Sequence, residues 1–261
     1  TQPGYLFNIG KGATLNLSNP NFNNETPYLQ NNYRNGALDT EEMGGSAIYN
    51  KGSVIMYAGN FMNNYLYGGK TKPGSGAALQ LDDTDAEVII KDFVAFVGNE
   101  AEFNGGAIDI QAGHVVVNDG NFVNNKAGNL GGAIHVCAKT TLDVDGGRFG
   151  QNENYYNTAK NGGAIATSGE VKVTDGSFVY NKATQSGGAF YAEGTDAILE
   201  FGNSNLVSNF VVANNSAEVH GGAVELATGS KMLLSNGNIH DNTAKGVAGG
   251  IDVPNGSSIE V

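Results

Sequence analysis

The side chains able to do chemistry are few and scattered along the chain. The densest carboxylate run is Asp82-Asp83-Thr84-Asp85-Ala86-Glu87. Glycan cleavage needs two or three carboxylates converging at a fixed separation, and uronate cleavage adds calcium and a Lys or Arg base. This run instead sits at a turn between strands and lacks the Gly and the closing Glu of an EF-hand loop. It reads as a solvated acidic turn, with weak cation binding at Asp82, Asp83 and Asp85 left open. His114, His135, His220 and His240 fall at different points of their repeats and have no metal-ligand spacing. Asp143, Asp145 and Arg148 lie close in sequence, but Asp143 alternates outward between Leu142 and Val144, as solubilising strand charges do. Arg34 and Arg148 are the only arginines, too few for a uronate-binding cleft, and no Gly-x-Ser-x-Gly nucleophile motif occurs. The lone Cys137 makes no internal disulfide, excludes a Cys-rich zinc module, and reads as a small half-buried strand residue. A net charge of -12 opposes nucleic-acid binding, and no run of apolar residues is long enough for a membrane-spanning helix. The expectation is therefore a non-enzyme without cofactor or metal ligands, and a carbohydrate-active enzyme of lyase or hydrolase type is the alternative.

The elements that must position any site follow from the repeats. The 261 residues include 39 Gly and 34 Asn. Gly-Gly-Ala-Ile and its variants recur at Gly105-Ile108, Gly131-Ile134, Gly162-Ile165, Gly187-Phe190 and Gly221-Val224, with looser copies ending at Ile48, Leu79 and Ile251. Leu6 is read as the opening position of the same register. After each copy comes an alternating strand such as Val54-Ile55-Met56 or Val171-Lys172-Val173, then Phe-x-x-Asn: Phe61/Asn64, Phe96/Asn99, Phe122/Asn125, Phe149/Asn152 and Phe178/Asn181. Val212/Asn215 and Ile239/Asn242 fit the motif more loosely. Three short strands per repeat and nine repeat starts describe a parallel β-helix, an all-β solenoid in which stacked coils bury what one coil cannot. The phenylalanines should then stack inside as an aromatic column and the asparagines as an amide ladder. No set of ligands recurs from coil to coil, so no ion is expected to be essential for folding.

Repeated Gly-Gly-Ala-Ile together with Phe-x-x-Asn, from Gly45 to Gly250, resembles the passenger region of the chlamydial polymorphic membrane proteins, a group of autotransporter adhesins, and related right-handed β-helix surface proteins of other bacteria. The resemblance implies a right-handed helix, export, display at the cell surface and adhesion. The whole chain, 1–261, is read as one such domain and as a segment of a longer solenoid that contacts the rest of its own chain at both ends.

Binding candidates come from the places where the repeats lengthen. Counting from the Asn of each motif, or from Glu25 in the first repeat, to the next Gly pair places insertions at 26–44, 65–75 and 153–161, all leaving one edge of the rod. They carry six of the eleven tyrosines: Tyr28, Tyr33, Tyr65, Tyr67, Tyr155 and Tyr156. Arg34, Lys70 and Lys72 add positive charge there. Tyrosine on loops offers contact area at low entropic cost, and insertions on one face of a solenoid often form its binding surface. The expected partner is a host-cell or neighbouring-cell protein or glycan. The alternative is that these rings pack their own loops onto the rod.

Overall fold

The computed structural model describes residues 5–17, 27–35, 47–68, 74–202 and 210–261. These residues are all-β, with no helix, and every pairing between named strands is parallel. Each strand pairs with its equivalents one repeat before and after. The Gly-Gly-Ala-Ile strands form one stack from Phe7–Ile9 through Ile48–Asn50, Ile134–Val136, Ile165–Thr167 and Phe190–Ala192 to Val224–Leu226 and Ile251–Asp252. The register shows that Phe7, not Leu6, stands opposite Ile48. Period-two alternation explains the correction: this register turns Ile9 inward, 8% exposed, while Leu6 stays 49% exposed. The alternating strands make a second stack, in which Leu142 and Val144 point inward and Asp143 does not. The aromatic positions make a third.

A fourth run of pairing follows the asparagines and was not among the three strands read from the sequence. It links Tyr33–Asn35, Tyr65–Tyr67, Glu100–Ala101, Lys126–Ala127, Thr158–Asn161, Lys182–Ser186, Ser216–Ala217 and Thr243–Ala244. Its inward residues, including Ala101, Ala127, Ala159, Ala183 and Ala217, are almost all alanine and nearly inaccessible. Such short side chains leave no apolar period long enough to announce a strand.

The core is a column of rings. Phe61, Phe96, Phe122, Phe149 and Phe178 stack with centroids 4.5–4.9 Å apart and planes within 12° of parallel. Val212 takes the next position in register. Beyond Phe178 the interior is filled by Phe190 and Phe201 from other strands and by Phe210 just ahead of Val211–Ala213, with planes tilted by 51–69°.

Beside the column runs the amide ladder Asn32, Asn64, Asn99, Asn125, Asn157, Asn181, Asn215 and Asn242. Asn125 is typical. Its Nδ2 donates to Phe96 O of the preceding repeat at 2.9 Å and to Asn157 Oδ1 of the next at 3.0 Å, while its own Oδ1 accepts from Asn99 Nδ2 at 2.9 Å. The rung assigned to Asn152 thus belongs to Asn157. The extra residues of that repeat lie between Phe149 and the ladder, where Asn152 Oδ1 instead caps a small surface turn by accepting from Asn154 N at 2.9 Å.

Two kinds of corner fix the bends. The residue before a rung adopts a left-handed conformation at Asn31, Asn63, Asn124, Tyr180, Asn214 and Asp241. Asn and Asp tolerate this backbone, which accounts for the recurring Asn-Asn pairs. At the other corner, Gly105 has φ +58°, and a Cβ on Gly106 would lie 2.2 Å from Gly132 O of the next repeat. Neither glycine of the pair therefore admits a side chain.

Three substitutions check this architecture by thermal or denaturant unfolding. Phe122→Ala should cost about 3–5 kcal/mol by opening a cavity in the column. Asn157→Ala should cost at least about 2 kcal/mol, because it strands buried hydrogen-bonding groups on both neighbouring repeats. Asn152→Ala should stay within about 0.5 kcal/mol, as surface changes do. Equal losses at Asn152 and Asn157 would refute the rung assignment.

Candidate functional site

The ladder determines where the nominated tyrosines stand. Asn32 Nδ2 reaches Asn64 Oδ1 at 2.6 Å, so the first repeat turns at Asn32 and not at Glu25. Residues 28–30, 33–35 and 65–67 are consequently regular strands in register rather than insertions. Tyr28 lies opposite Asn60 on the outer side of the aromatic stack, 61% exposed, while Leu29 takes the inward place. Tyr33 stands directly opposite Tyr65 one strand along, and its ring centroid is 5.7 Å from that of Tyr67. The Cα of Arg34 stands opposite Leu66. Lys70 and Lys72 lie outside the described residues.

Tyr155 and Tyr156 belong to a different corner, the turn between Phe149 and Asn157. Tyr155 N donates to Asn152 O at 3.1 Å and Gln151 N to Tyr155 O at 2.7 Å, so this turn closes on itself. The Tyr156 ring lies under Lys182 Nζ, 3.9 Å from its centroid. Three strand spacings, about 14 Å, separate Tyr65 from the level of Thr158. A single edge carrying all six tyrosines is therefore not what forms. The structure brings together Tyr33, Tyr65 and Tyr67 and leaves Tyr28, Tyr155 and Tyr156 elsewhere.

Charge beside the tyrosine cluster comes from the neighbouring repeats. In register after Tyr65 stand Glu100 and Lys126, whose side chains pair at 2.8 Å. Glu100 is the main influence raising the Tyr67 hydroxyl above its usual pKa, so the phenol stays neutral and able to donate. The signal was available: each member of this outer row is the residue that directly follows a ladder asparagine, from Tyr33 and Tyr65 through Glu100 and Lys126 to Thr158 and Lys182.

The acidic run lies within the strand Leu79–Val97, at an irregularity in its pairing with Ile108–Val117, and not at a turn between strands. It is tied to Lys11, whose Nζ lies 2.7 Å from Asp85 Oδ2 and 3.4 Å from Asp83 Oδ1. Asp82 accepts a hydrogen bond from the Tyr49 hydroxyl. Asp143, Asp145 and Arg148 have separate surroundings. Asp143 pairs with His114 at 2.8 Å, Asp145 accepts from Thr174 Oγ1 at 2.7 Å, and Arg148 shares a shallow pocket with Asp92, Asp119 and Asp175.

A denser polar cluster lies in the row formed by the residue after each Gly-Gly-Ala-Ile motif: Tyr49, Gln80, Asp109, His135, Ala166, Tyr191, Glu225 and Asp252. Asp109 is completely buried, and His135 is 4% exposed. His135 Nδ1 lies 2.6 Å from Asp109 Oδ1, while Asp109 Oδ2 accepts from Gln111 Nε2 at 2.5 Å and from Gln80 Nε2 at 3.3 Å. The half-buried Cys137 brings its Sγ within 4.0 Å of His135 Nδ1. Sequence spacing hid this group because Asp109 comes from the preceding repeat and meets His135 only through strand register.

Burial works against a charged imidazole, yet the hydrogen bond to Asp109, with Cys137 adding to it, outweighs that effect and pushes His135 up to about 10. Its folded value thus exceeds the usual one of about 6.5. The pair's stabilisation is fully present below about pH 6.5 and disappears as pH rises through about 10. In metal-free buffer the melting temperature should fall across that window, and His135→Gln should flatten the fall. An equally steep profile in the variant would assign the dependence to other groups.

A sequence model of the Chlamydia polymorphic membrane protein repeat matches residues 119–137, a stretch that holds Phe122, the rung Asn125, the corner Gly131-Gly132-Ala133-Ile134, His135 and Cys137. No curated protein and no solved structure matches the chain significantly.

Proposed function

We propose that this chain is a right-handed parallel β-helix of about nine coils, a single domain, and a segment of a bacterial cell-surface protein that works by adhesion or by holding a binding surface away from the cell. The observation that carries this reading is the chlamydial polymorphic membrane protein repeat at residues 119–137, whose corner and ladder residues recur in register along the described chain. The repeat's family name associates it with a membrane protein, and a stacked rod suits display. The site for a host-cell or neighbouring-cell protein or glycan is the outer face around Tyr33, Tyr65 and Tyr67. Tyr33 is 59% exposed there, and the neighbouring Glu100–Lys126 pair supplies a polar border. Tyrosine faces stack on sugar rings and protein side chains alike, and their hydroxyls add hydrogen bonds.

One observation favours the carbohydrate-active alternative. Glu225 is 6% exposed, and burial followed by the neighbouring Asp252 carboxylate pushes its pKa up to about 7. A carboxyl whose pKa is raised to near neutrality is the kind of group that serves as the acid in glycoside cleavage. Depolymerisation of any member of a polysaccharide panel, abolished by Glu225→Gln, would establish that reading over the first.

For adhesion the test is the combined Tyr33→Ala, Tyr65→Ala and Tyr67→Ala variant. It should keep its circular dichroism spectrum and lose at least about thirtyfold in affinity for target cells or an array ligand, the loss produced by one binding hot spot of about 2 kcal/mol. Unchanged affinity would remove this face from the binding surface.

A further inference from the structure

We propose that Asp109, His135 and Cys137 form a binding site for one zinc-class divalent transition-metal ion. One ligand atom from each residue lies within 4.8 Å of the others, giving a carboxylate oxygen, an imidazole nitrogen and a thiol sulfur around a common point. That donor set suits zinc, which takes oxygen, nitrogen and sulfur ligands in a tetrahedron, and it disfavours calcium and magnesium, which prefer oxygen alone. Zinc's bond lengths require ligand separations of about 3.3 Å for O···N and about 3.6 Å for N···S. The present O···N and N···S separations are 2.6 Å and 4.0 Å, each within one ångström of those values, and the carboxylate oxygen and the sulfur also lie within 4.8 Å of each other.

The surroundings are built to hold these ligands. Gln80 and Gln111 both donate to Asp109 Oδ2, which leaves Oδ1 turned toward His135. Hydrogen bonds of this kind orient a ligand before the metal arrives. His135 and Asp109 sit on adjacent paired strands, Ile134–Val136 and Ile108–Val117, while Cys137 is the residue just beyond the first of these. The half-buried Cys137 forms the solvent side, so the ion enters past the thiol and a water completes its coordination. The exchange balances in charge. The dication enters, the proton shared by His135 and Asp109 and the thiol proton of Cys137 leave, and the cluster keeps its net charge. A buried site that exchanges two protons for one dication adds no uncompensated charge to the interior.

The experiment is equilibrium titration of the reduced, chelator-treated protein with Zn²⁺ and with Co²⁺. One equivalent of each should bind. The cobalt form should show a thiolate-to-metal charge-transfer band together with the visible bands of a tetrahedral site. Cys137→Ser, at a half-exposed position, should fold normally, lose the charge-transfer band and bind Zn²⁺ at least about tenfold more weakly, since the soft ligand is gone. His135→Gln should abolish binding, and its fold is checked by circular dichroism. Absence of stoichiometric binding would overturn the proposal. So would wild-type affinity in Cys137→Ser, which would place the ion elsewhere, for example on the acidic run at Asp82–Asp85.

Discussion

The structure depends on one side-chain amide used the same way in every repeat. Turning a strand through a corner leaves backbone groups facing inward, where each unsatisfied group costs about 1–3 kcal/mol. Asparagine solves this because it carries a donor and an acceptor on a stem short enough to reach both adjacent repeats. Asn99, Asn125, Asn157 and Asn181 each bind a carbonyl two strands away from the next amide in line, so every rung joins three successive repeats. These bonds lie in a low-dielectric interior, where a connected chain of them is stronger than isolated pairs and an interruption is correspondingly costly.

The outer surface inherits its order from that interior. Once the ladder fixes the asparagine, the next residue faces outward and the one after it turns inward, as Leu66, Ala101 and Ala127 do. This is why Tyr33, Tyr65, Glu100 and Lys126 fall into one row although they lie 26 to 35 residues apart in the chain. The Gly-Gly corners do the same for the opposite side, aligning Gln80, Asp109 and His135. Function on such a scaffold is written by row and column, and neighbours in space are residues at the same phase of different repeats.

That geometry explains what could be read in advance. Phe122, Asn125 and Gly131-Gly132 were legible because the same residue types recur at the same spacing in most repeats: a ring in the column, an amide on the ladder, a corner without Cβ. The repeat from Phe149 to Asn157 was misread because Asn152 satisfies the local spacing, while the true rung is chosen by hydrogen bonds to Asn125 and Asn181. Leu6 was preferred to Phe7 for a similar reason, since both are apolar and only pairing with Ile48 separates them. The Asp109, His135 and Cys137 cluster is not visible in sequence spacing, because Asp109 lies 26 residues before His135 and meets it only through strand register. Aligning the residue after every Gly-Gly-Ala-Ile motif would have exposed it.

The column of rings divides the protein into interchangeable and unique parts. Between Phe61 and Phe178 every cross-section presents the same ring in the same orientation, so one layer is a near copy of the next. Farther along, Phe190, Phe201 and Phe210 fill the interior from different directions, and Phe210 occupies the space that a side chain on Gly237 would need. In genetic terms, unequal recombination between the similar layers can lengthen or shorten the rod by whole repeats and still leave a matched junction. A crossover beyond Phe178 joins cross-sections of different shape. The stacked half thus has the geometry to accept such exchange, and the half beyond Phe178 does not.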